Sequence, residues 1–481
     1  MGRDKVGNLH RIIVIAVAAI LLAGIADAQT VRSEDGEPPS GPGWSEFRDL
    51  SARLEALEAE NRWLKDSITS TYEPSDATYD YEPYCDSCSQ GCCGAHAVCE
   101  NASWIDQMCS RCKQRLSWNK GPVRIVPFGY FAADMIGSER AYTLLGAPLF
   151  LLSALPPDVP DSRFTVTGQQ STLGFDIAGP NCESFASGGR FAFNFFGDRP
   201  VQNNPGLFFL IGYLELQNDQ RRFWAGQDLD AIGRQNTNSP SWTSHKQSGN
   251  FGNIRPGFRV ERYFHHSDLA QTSLYFGLTQ QVVLDFIANP LVAGTDNGWP
   301  NVEMRWELAL GEECNGQRPI QLAVGGVVGE TRAVDLAGQA VANVSATWGV
   351  IPEMHLQLGR LGFQGEAFVG EAIGTYNAGI GQSLDPFDDE PIYTIGGFGE
   401  LYCNIAPSFT VSIGCGIDNP RNADLGPEQR SRNETYWINS IWRSGEHWET
   451  RFEISHMQTD YVLPYVDSRG MLYHVNTRYK F

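Results

Sequence analysis

The chain has 481 residues, a formal net charge of −20 and abundant glycine, with 50 Gly. This length exceeds one ordinary domain but suits a large β-barrel with appended segments. The acidic balance argues against a nucleic-acid-binding protein, because phosphate contacts need a basic surface. After the N-terminus there is no apolar run of about 18 residues or more, so we expect no membrane-spanning helix.

The N-terminus has the features of a secretory signal peptide, predicted at 1–28. Basic residues precede an apolar run at 12–25, and Ala26-Asp27-Ala28 offers a small-residue cleavage site. A helical membrane anchor is the alternative, but the run is short for a span. We expect the mature chain to begin at Gln29 with a flexible leader over 29–46, which is rich in Gly, Pro, Ser and acidic residues.

A heptad pattern follows, with every a and d position filled. These positions are Phe47, Leu50, Leu54, Leu57, Asn61, Leu64 and Ile68. The pattern predicts a short coiled-coil helix over 47–71 that self-associates, in which Asn61 fixes register and oligomeric state. A single amphipathic helix lying on another domain is the alternative.

Residues 72–121 form a cysteine-rich segment. It contains seven of the 11 cysteines, namely Cys85, Cys88, Cys92, Cys93, Cys99, Cys109 and Cys112. The CxxC spacings at 85–88 and 109–112 would suit a zinc site. Disulfides are favoured, because the signal peptide directs the chain to an oxidising compartment. An odd number of cysteines leaves at least one thiol unpaired within a single chain.

From residue 122 onward, short alternating segments are separated by turns. Sixteen strands are predicted, at 124–133, 163–177, 186–197, 206–217, 220–229, 253–264, 270–283, 302–312, 317–331, 340–350, 354–372, 393–404, 407–417, 433–443, 446–458 and 470–481. The predicted fold is all-β, a transmembrane antiparallel β-barrel of about 16 strands over 122–481.

The links between these strands tend to alternate between tight and long. Tight turns are predicted at 218–219, 313–316, 351–353, 406 and 444–445. Long loops are predicted at 230–252, 284–301, 373–392, 418–432 and 459–469. Short turns on one rim and long loops on the other are typical of an outer-membrane barrel. The links 178–185 and 198–205 fit less well, because their lengths are similar.

Within strands, charged residues recur on one face and apolar residues on the other. In 302–312, for example, Met304 and Trp306 alternate with Glu303 and Arg305. A charge facing lipid near mid-bilayer costs about 2–4 kcal/mol, so the charged face is predicted to line a wet lumen. The predicted lumen residues are Arg190, Arg255, Arg259, Arg305, Glu303, Glu307, Glu366, Glu400, Glu449, Arg451, Glu453, Arg478 and Lys480.

Two strands carry further expectations. Segment 206–217 is apolar on both faces, as expected where the wall packs against another subunit or an inward loop. Arg255 and Arg259 share one face with no acid between them, so that strand is expected to attract anions and to give a weak anion preference.

The chain ends on Phe481, in register with Tyr479 and Tyr473, as in the C-terminal strand of bacterial outer-membrane proteins. Local sequences at 163–180, 222–232, 359–374 and 416–426 resemble the DcaP-type porins. The resemblance covers roughly 122–481 and the helix at 47–68; the cysteine-rich segment has no counterpart. It implies a trimeric sixteen-stranded diffusion channel with a periplasmic coiled coil and a preference for small anionic solutes.

No nucleophile, nucleotide or metalloprotease motif is present in the sequence, so we expect neither catalysis nor a cofactor. His447, His456 and His474 lie near acids in the last strands, which leaves a membrane hydrolase as a minor alternative. The acidic residues of 385–390 could bind a divalent cation, but a solvated loop is favoured, and no metal site is predicted.

The sequence therefore predicts an outer-membrane porin for passive diffusion of small hydrophilic solutes, with its N-terminal segment in the periplasm. The expected partners are outer-membrane lipids, two further copies of the chain and solutes in transit, and no nucleic acid. The alternative is a plugged structural barrel that tethers periplasmic or envelope partners.

Overall fold

The computed structural model describes residues 117–144, 146–153, 161–197, 206–282, 292–313, 317–335 and 344–481. The predicted signal peptide, leader and coiled-coil helix, and the seven cysteines from Cys85 to Cys112, lie outside the described residues. Within the described ranges, no helix is long and apolar enough to cross a membrane.

The described residues form 19 strands in one continuous sheet. The strands are β1 (Trp118–Lys120), β2 (Val123–Ser138), β3 (Arg163–Thr167), β4 (Thr172–Ala178), β5 (Ala186–Asn194), β6 (Phe208–Gln217), β7 (Arg221–Leu229), β8 (Ile254–Ser267), β9 (Ala270–Thr279), β10 (Val292–Asp296), β11 (Asn301–Leu310), β12 (Ile320–Asp335), β13 (Ser345–Leu358), β14 (Leu361–Glu371), β15 (Tyr393–Ala406), β16 (Phe409–Pro420), β17 (Arg430–Ser444), β18 (Trp448–Tyr461) and β19 (Ser468–Lys480).

The sheet closes on itself because β19 pairs with β2, from Leu472 opposite Ser138 to Lys480 opposite Tyr130. β3 and β4 pair with successive halves of β2 and act as one interrupted wall strand. β1 and β10 only extend the ladders of β2 and β12. The wall is therefore a closed antiparallel barrel of sixteen strands, which confirms the predicted fold class.

Alternation along the strands sorts side chains as the sequence predicts. In β11, Met304 and Trp306 are 58% and 41% exposed, whereas Glu303 and Arg305 are 0% and 4% exposed. β18 repeats the pattern, with an exposed Phe452 on the outer face. Apolar side chains thus cover the outside of the barrel, and charged side chains face inward.

One predicted turn is wrong. The chain does not reverse at 351–353, since β13 continues to Leu358 and the turn lies at Gly359–Arg360, where Gly359 has φ +61°. The turn was predicted there because Pro352 lies in this segment and proline is rare inside a sheet. It is tolerated because the ladder between β13 and β14 has no pairing at Ile351 and Pro352, so no hydrogen bond to the missing N–H is lost there.

The links fall on two rims. The short-turn rim carries 179–185, 218–220, 268–269, 311–319, 359–360, 407–408 and 445–447. At the opposite rim, which we call the long-loop rim, lie the ends of the strands joined by 139–162, 195–207, 230–253, 280–300, 336–344, 372–392, 421–429 and 462–467. The strands joined by the two links of similar length, 178–185 and 198–205, therefore meet at opposite rims, and the predicted alternation extends through these links.

The last residue contributes to the closure. The backbone N–H of Phe481 donates to the carbonyl of Gly129 at 3.1 Å, and the ring of Phe481 lies 5.4 Å from that of Phe131. Trp448 and Tyr479, with ring centroids 5.4 Å apart, extend this aromatic group near the short-turn rim.

Candidate functional site: the barrel lumen

Two loops from the long-loop rim fold into the barrel. We call residues 230–253 inner loop 1 and residues 372–392 inner loop 2. Most residues of both loops are buried. Trp242 of inner loop 1 stacks on Phe196 at 4.7 Å and meets the edge of Phe208 at 6.0 Å. At Phe208 the apolar face of β6 thus packs against an inward loop, one of the two explanations expected from the sequence.

Carboxylates of the wall hold inner loop 1 in place. Glu353 of β13 accepts the backbone N–H groups of Gly233 and Arg234, each at 3.1 Å. Glu400 of β15 accepts both the backbone and side-chain N–H groups of Asn238. The predicted lumen residues thus include anchors for a loop.

The remainder of inner loop 1 is bonded to further strands. The N–H of Phe251 donates to Oε1 of Glu366 at 2.5 Å. The imidazole of His245 lies 3.2 Å from Oε1 of Glu453 in β18. Inner loop 1 therefore extends from β7 to the opposite wall, crossing the lumen.

Arginines of the last two strands reach the same loop. Arg451 donates to the carbonyl of Ser239 at 3.0 Å, and Arg478 donates to the carbonyl of Pro240 at 3.3 Å. The two cations thus bind backbone oxygens of inner loop 1 from the wall.

Inner loop 2 packs against the end of inner loop 1. Gly252 donates its N–H to the carbonyl of Tyr376 at 2.7 Å. Asp418 of β16 accepts the N–H groups of Gly379 and Ile380 at 3.0 and 2.8 Å. A hydrophobic cluster joins both loops to the wall; its members are Ile232, Phe251, Val327, Ile351, Phe368, Ile373, Tyr376 and Ala378.

Arg255 lies at the centre of a buried polar network and is 0% exposed. Its Nε is 2.5 Å from Asp230, and its guanidinium carbon is 3.5 Å from the centroid of the Tyr376 ring. Glu303, also fully buried, accepts hydroxyl groups from Tyr275 and Tyr376. This network connects both inner loops to β8, β9 and β11.

Several predicted lumen residues form ion pairs within the wall. Arg305 binds Glu353 through Nε and Nη2 at 2.9 and 3.1 Å, and its Nη1 is 2.7 Å from Glu307. Arg190 binds Asp176 through Nε and Nη2 at 2.6 and 3.0 Å. Such pairs leave little free charge at these positions.

Near the short-turn rim, Glu449 is the common partner of three cations. Arg451 and Lys480 each approach it at 2.7 Å, and Arg443 lies at 3.4 Å. All thirteen predicted lumen residues are located in wall strands. Whether they line the path of a solute stays a prediction.

A cavity of about 280 Å³ lies between β7, β8 and inner loop 1. Its lining residues are Arg222, Trp224, Asp228, Leu229, Asp230, Gly233, Arg234, Asn236, Lys246, Gly252, Asn253, Arg259 and Glu261. Of the predicted residues, only Arg259 is among them. Arg222 and Trp224 could have been found by strand alternation, since they occupy one face of β7.

Arg234 and Lys246 gave no sequence signal, because they lie in a loop with no periodicity. Burial lowers the pKa of Lys246 to about 8, while the carboxylates of Glu366, Asp230 and Glu353 oppose this effect. Its ammonium group donates to Asn250 at 2.8 Å and to the carbonyl of Phe251.

Comparisons with known proteins agree with this architecture. No protein-family model matches the chain, and no curated protein matches its sequence. Among solved structures, the chain is similar to the outer membrane channel DcaP of Acinetobacter baumannii, with TM-score 0.59, 13% identity, and coverage of 76% of this chain and 99% of that chain.

Two further structures are less similar. OmpT of Vibrio cholerae gives TM-score 0.48 at 10% identity, covering 76% of this chain and 100% of that chain. OprB of Pseudomonas putida gives TM-score 0.43 at 8% identity, covering 74% and 94%. The likeness to DcaP concerns the fold, and it confirms that this chain has the barrel fold of the DcaP outer-membrane channel, as its local sequences suggest.

Proposed function

We propose that this protein is an outer-membrane channel for passive diffusion of small hydrophilic solutes, with a preference for anions. The observation that carries the proposal is the closed barrel with an apolar outer face and a charged inner face, narrowed by two inward-folded loops. A closed barrel satisfies every backbone polar group in lipid, and a polar interior admits water.

The preference for anions rests on the cavity beside inner loop 1. Four cations line it, namely Arg222, Arg234, Lys246 and Arg259. Among the acids there, Glu261 lies 3.0 Å from Arg234, and Asp230 lies 2.5 Å from Arg255. Arg222 and Arg234 are themselves engaged by Glu215 and Glu261, so Arg259 and Lys246 supply most of the attraction for a passing anion.

Purified protein in planar lipid bilayers tests both parts of the proposal. We expect discrete conductance steps and a reversal potential under a KCl gradient that indicates a weak anion preference. Arg259→Ala should shift the reversal potential toward cations. Arg421→Ala is the control, because Arg421 is 56% exposed and pairs with Asp424 on the long-loop rim. A cation-selective parent, or an unchanged Arg259→Ala, would contradict the anion preference but not the channel.

A plugged structural barrel is the second candidate, because inner loop 1 crosses the lumen and is bonded to both sides. This candidate predicts folded protein without conductance steps. The N-terminal segment would then tether periplasmic or envelope partners. Deleting 236–250 distinguishes the two functions. If the parent is a narrowed channel, the deletion should increase a conductance that is already present. If the parent is a plugged barrel, the deletion should produce conductance where the parent shows none.

The proposal includes a homotrimer, a periplasmic coiled coil over 47–71 and a disulfide-bonded segment over 72–121. The heptad positions and the secretory signal support these assignments. The channel acts by diffusion and needs neither a catalytic residue nor a cofactor.

A further inference from the structure

Arg259 is buried in the lumen and forms no ion pair with a carboxylate in the described part of the chain. It is 6% exposed, and no described carboxylate lies within salt-bridge distance of it. Its Nη1 donates to the carbonyl of Leu229 at 2.5 Å, and its guanidinium carbon lies 4.1 Å from the centroid of the Trp224 ring. The group is thus held in one orientation.

The remaining edge of this guanidinium group has no partner among the described residues. Neither Nε nor Nη2 of Arg259 makes a hydrogen bond there, and the same is true of Nε1 of Trp224, which is 5% exposed. Both side chains line the same cavity of about 280 Å³. A buried cation with unsatisfied donors is costly, and an anion in the cavity would compensate that cost.

Two other arginines of the wall show what this edge binds. In Arg190 and in Arg305, Nε and Nη2 together hold one carboxylate side-on, that of Asp176 and that of Glu353 respectively. Two coplanar N–H donors match two coplanar oxygens, which is the geometry of a carboxylate. In Arg259 the same two donors have no partner among the described residues, and Arg259 is one of the residues that line the cavity.

The neighbouring charges limit the charge of the ligand. Arg222 and Arg234 are engaged by Glu215 and Glu261, at 2.7 and 3.0 Å. Asp228 and Asp230 also line the cavity, so a second negative charge on the ligand would meet carboxylates. The surroundings therefore favour a single negative charge.

We propose that Arg259 and Trp224 form a binding subsite for a small monocarboxylate, which binds side-on to Nε and Nη2 of Arg259 and accepts a hydrogen bond from Nε1 of Trp224. This proposal rests on the proposed channel function, and it adds saturable recognition of one chemical class to diffusion. Lys246 lines the same cavity and adds long-range attraction.

Ligand-observed NMR on the full chain in detergent tests the subsite without any transport measurement. Acetate is the probe, and inorganic phosphate is the tetrahedral comparison. We expect saturable acetate binding that is weakened at least about tenfold in Arg259→Lys, which keeps the charge but loses the planar edge. Trp224→Phe keeps the ring beneath Arg259 and removes one donor, so a loss of about threefold is expected.

Arg421→Lys is the matched control, because its arginine also contacts a carboxylate through Nε but lies on the long-loop rim. It should bind acetate as the parent does. Each variant counts as folded if it keeps the heat-resistant electrophoretic mobility of the parent. If Arg259→Lys does not fold, Trp224→Phe serves as the independent test.

The subsite is overturned if the parent shows no saturable acetate binding, if phosphate binds more tightly than acetate, or if both cavity variants bind acetate like the parent. Bilayer conductance of the same samples keeps the two proposals apart. Conductance without acetate binding refutes only the subsite, and acetate binding without conductance refutes only the channel.

Discussion

Inward-facing carboxylates of the wall are largely bonded to other groups of the chain. Glu353, Glu366 and Glu400 accept backbone N–H groups of inner loop 1, and Glu449 binds three cations. Hydrogen bonds to charged groups contribute about 1.5–3 kcal/mol each. The inner acids therefore stabilise the architecture of the lumen, and their formal charge overstates their effect on a solute.

Strand alternation predicts which residues face inward but not what they bind. It places Arg255 and Arg259 on one face of β8, as the structure has them. It does not distinguish Arg255, which is paired with Asp230, from Arg259, which borders the cavity. The partners of both come from segments that are distant along the chain or have no sequence periodicity, so a single strand carries no signal for them.

Arg255→Ala should destabilise the barrel strongly. The substitution removes the cation between Asp230 and Glu303, which are both buried, and removing one partner of a buried ion pair costs about 3–5 kcal/mol. The midpoint temperature of the heat-induced change in electrophoretic mobility should fall. The noise of the single-channel current should rise, because both inner loops become more mobile. Arg421→Ala, at an exposed pair, should change neither. An unchanged midpoint in Arg255→Ala would contradict the role of this network.

Lys246 should give the channel a pH-dependent selectivity. Its pKa of about 8 lies below the ordinary value of lysine, because burial disfavours the charged form. The ammonium group is charged below about pH 8 and neutral above it, so the anion preference should decrease between about pH 7 and about pH 9.

The same shift contributes to stability with a defined sign. The folded state releases its proton before the unfolded state does, so this group makes the fold more stable as pH rises from about 8 toward the ordinary lysine pKa. Reversal potentials across this pH range test the selectivity, with Lys246→Met as the comparison. If Lys246→Met retains the full pH-dependent change, another group is responsible.

Inner loop 1 passes against the wall at positions where only glycine leaves enough space. A Cβ on Gly416 would lie 2.0 Å from the carbonyl oxygen of Ser248, and one on Gly249 would lie 2.1 Å from that of Gly397. Gly249 also has φ +98°, which other residues adopt with difficulty. These glycines set how closely the loop follows the wall.

Gly416→Ala should displace inner loop 1 toward the lumen axis or out of the barrel. Overpacking of this kind costs about 1–3 kcal/mol, and the single-channel conductance should change with it. Gly326→Ala is the matched control, because its added Cβ would meet the nearest backbone oxygen at an ordinary 3.5 Å. Equal conductance and thermal midpoints in the two variants would contradict the close approach.

At the level of elements, the sixteen wall strands are predictable from the sequence, since most of them alternate between polar and apolar residues and turn residues separate most of them. The wrong turn at 351–353 was predicted from Pro352, because proline is normally found at the end of a strand or in an edge strand. The true reversal at Gly359 depends on an interrupted ladder between β13 and β14, which only the pairing of the strands reveals.

The whole molecule is proposed to be a trimer stabilised in part by the helix over 47–71. Deleting 29–71 should lower the temperature at which trimers dissociate on unheated gels, while the barrel still inserts into membranes. The reason is the heptad pattern with one asparagine at an a position. A deletion variant with unchanged trimer stability would refute the coiled-coil assignment.

The seven cysteines from Cys85 to Cys112 should be oxidised mainly to disulfides in protein taken from the native envelope. Thiol counting under denaturing, non-reducing conditions should find few free thiols beyond those of Cys182, Cys403 and Cys415, which are free in the described part of the chain. Stoichiometric zinc together with four or more additional thiols would show a metal site instead.

The pairing of β19 with β2 closes the barrel and determines the order in which the barrel can fold. At this joint, Met471 donates its N–H to Glu139, a residue 332 positions earlier in the chain. Bringing such distant segments together is entropically the most demanding contact, and it becomes favourable only after the intervening strands have paired. Until then the sheet has two open edges, each able to pair with a neighbouring chain. The growing barrel therefore needs a shielded edge until its final strand arrives.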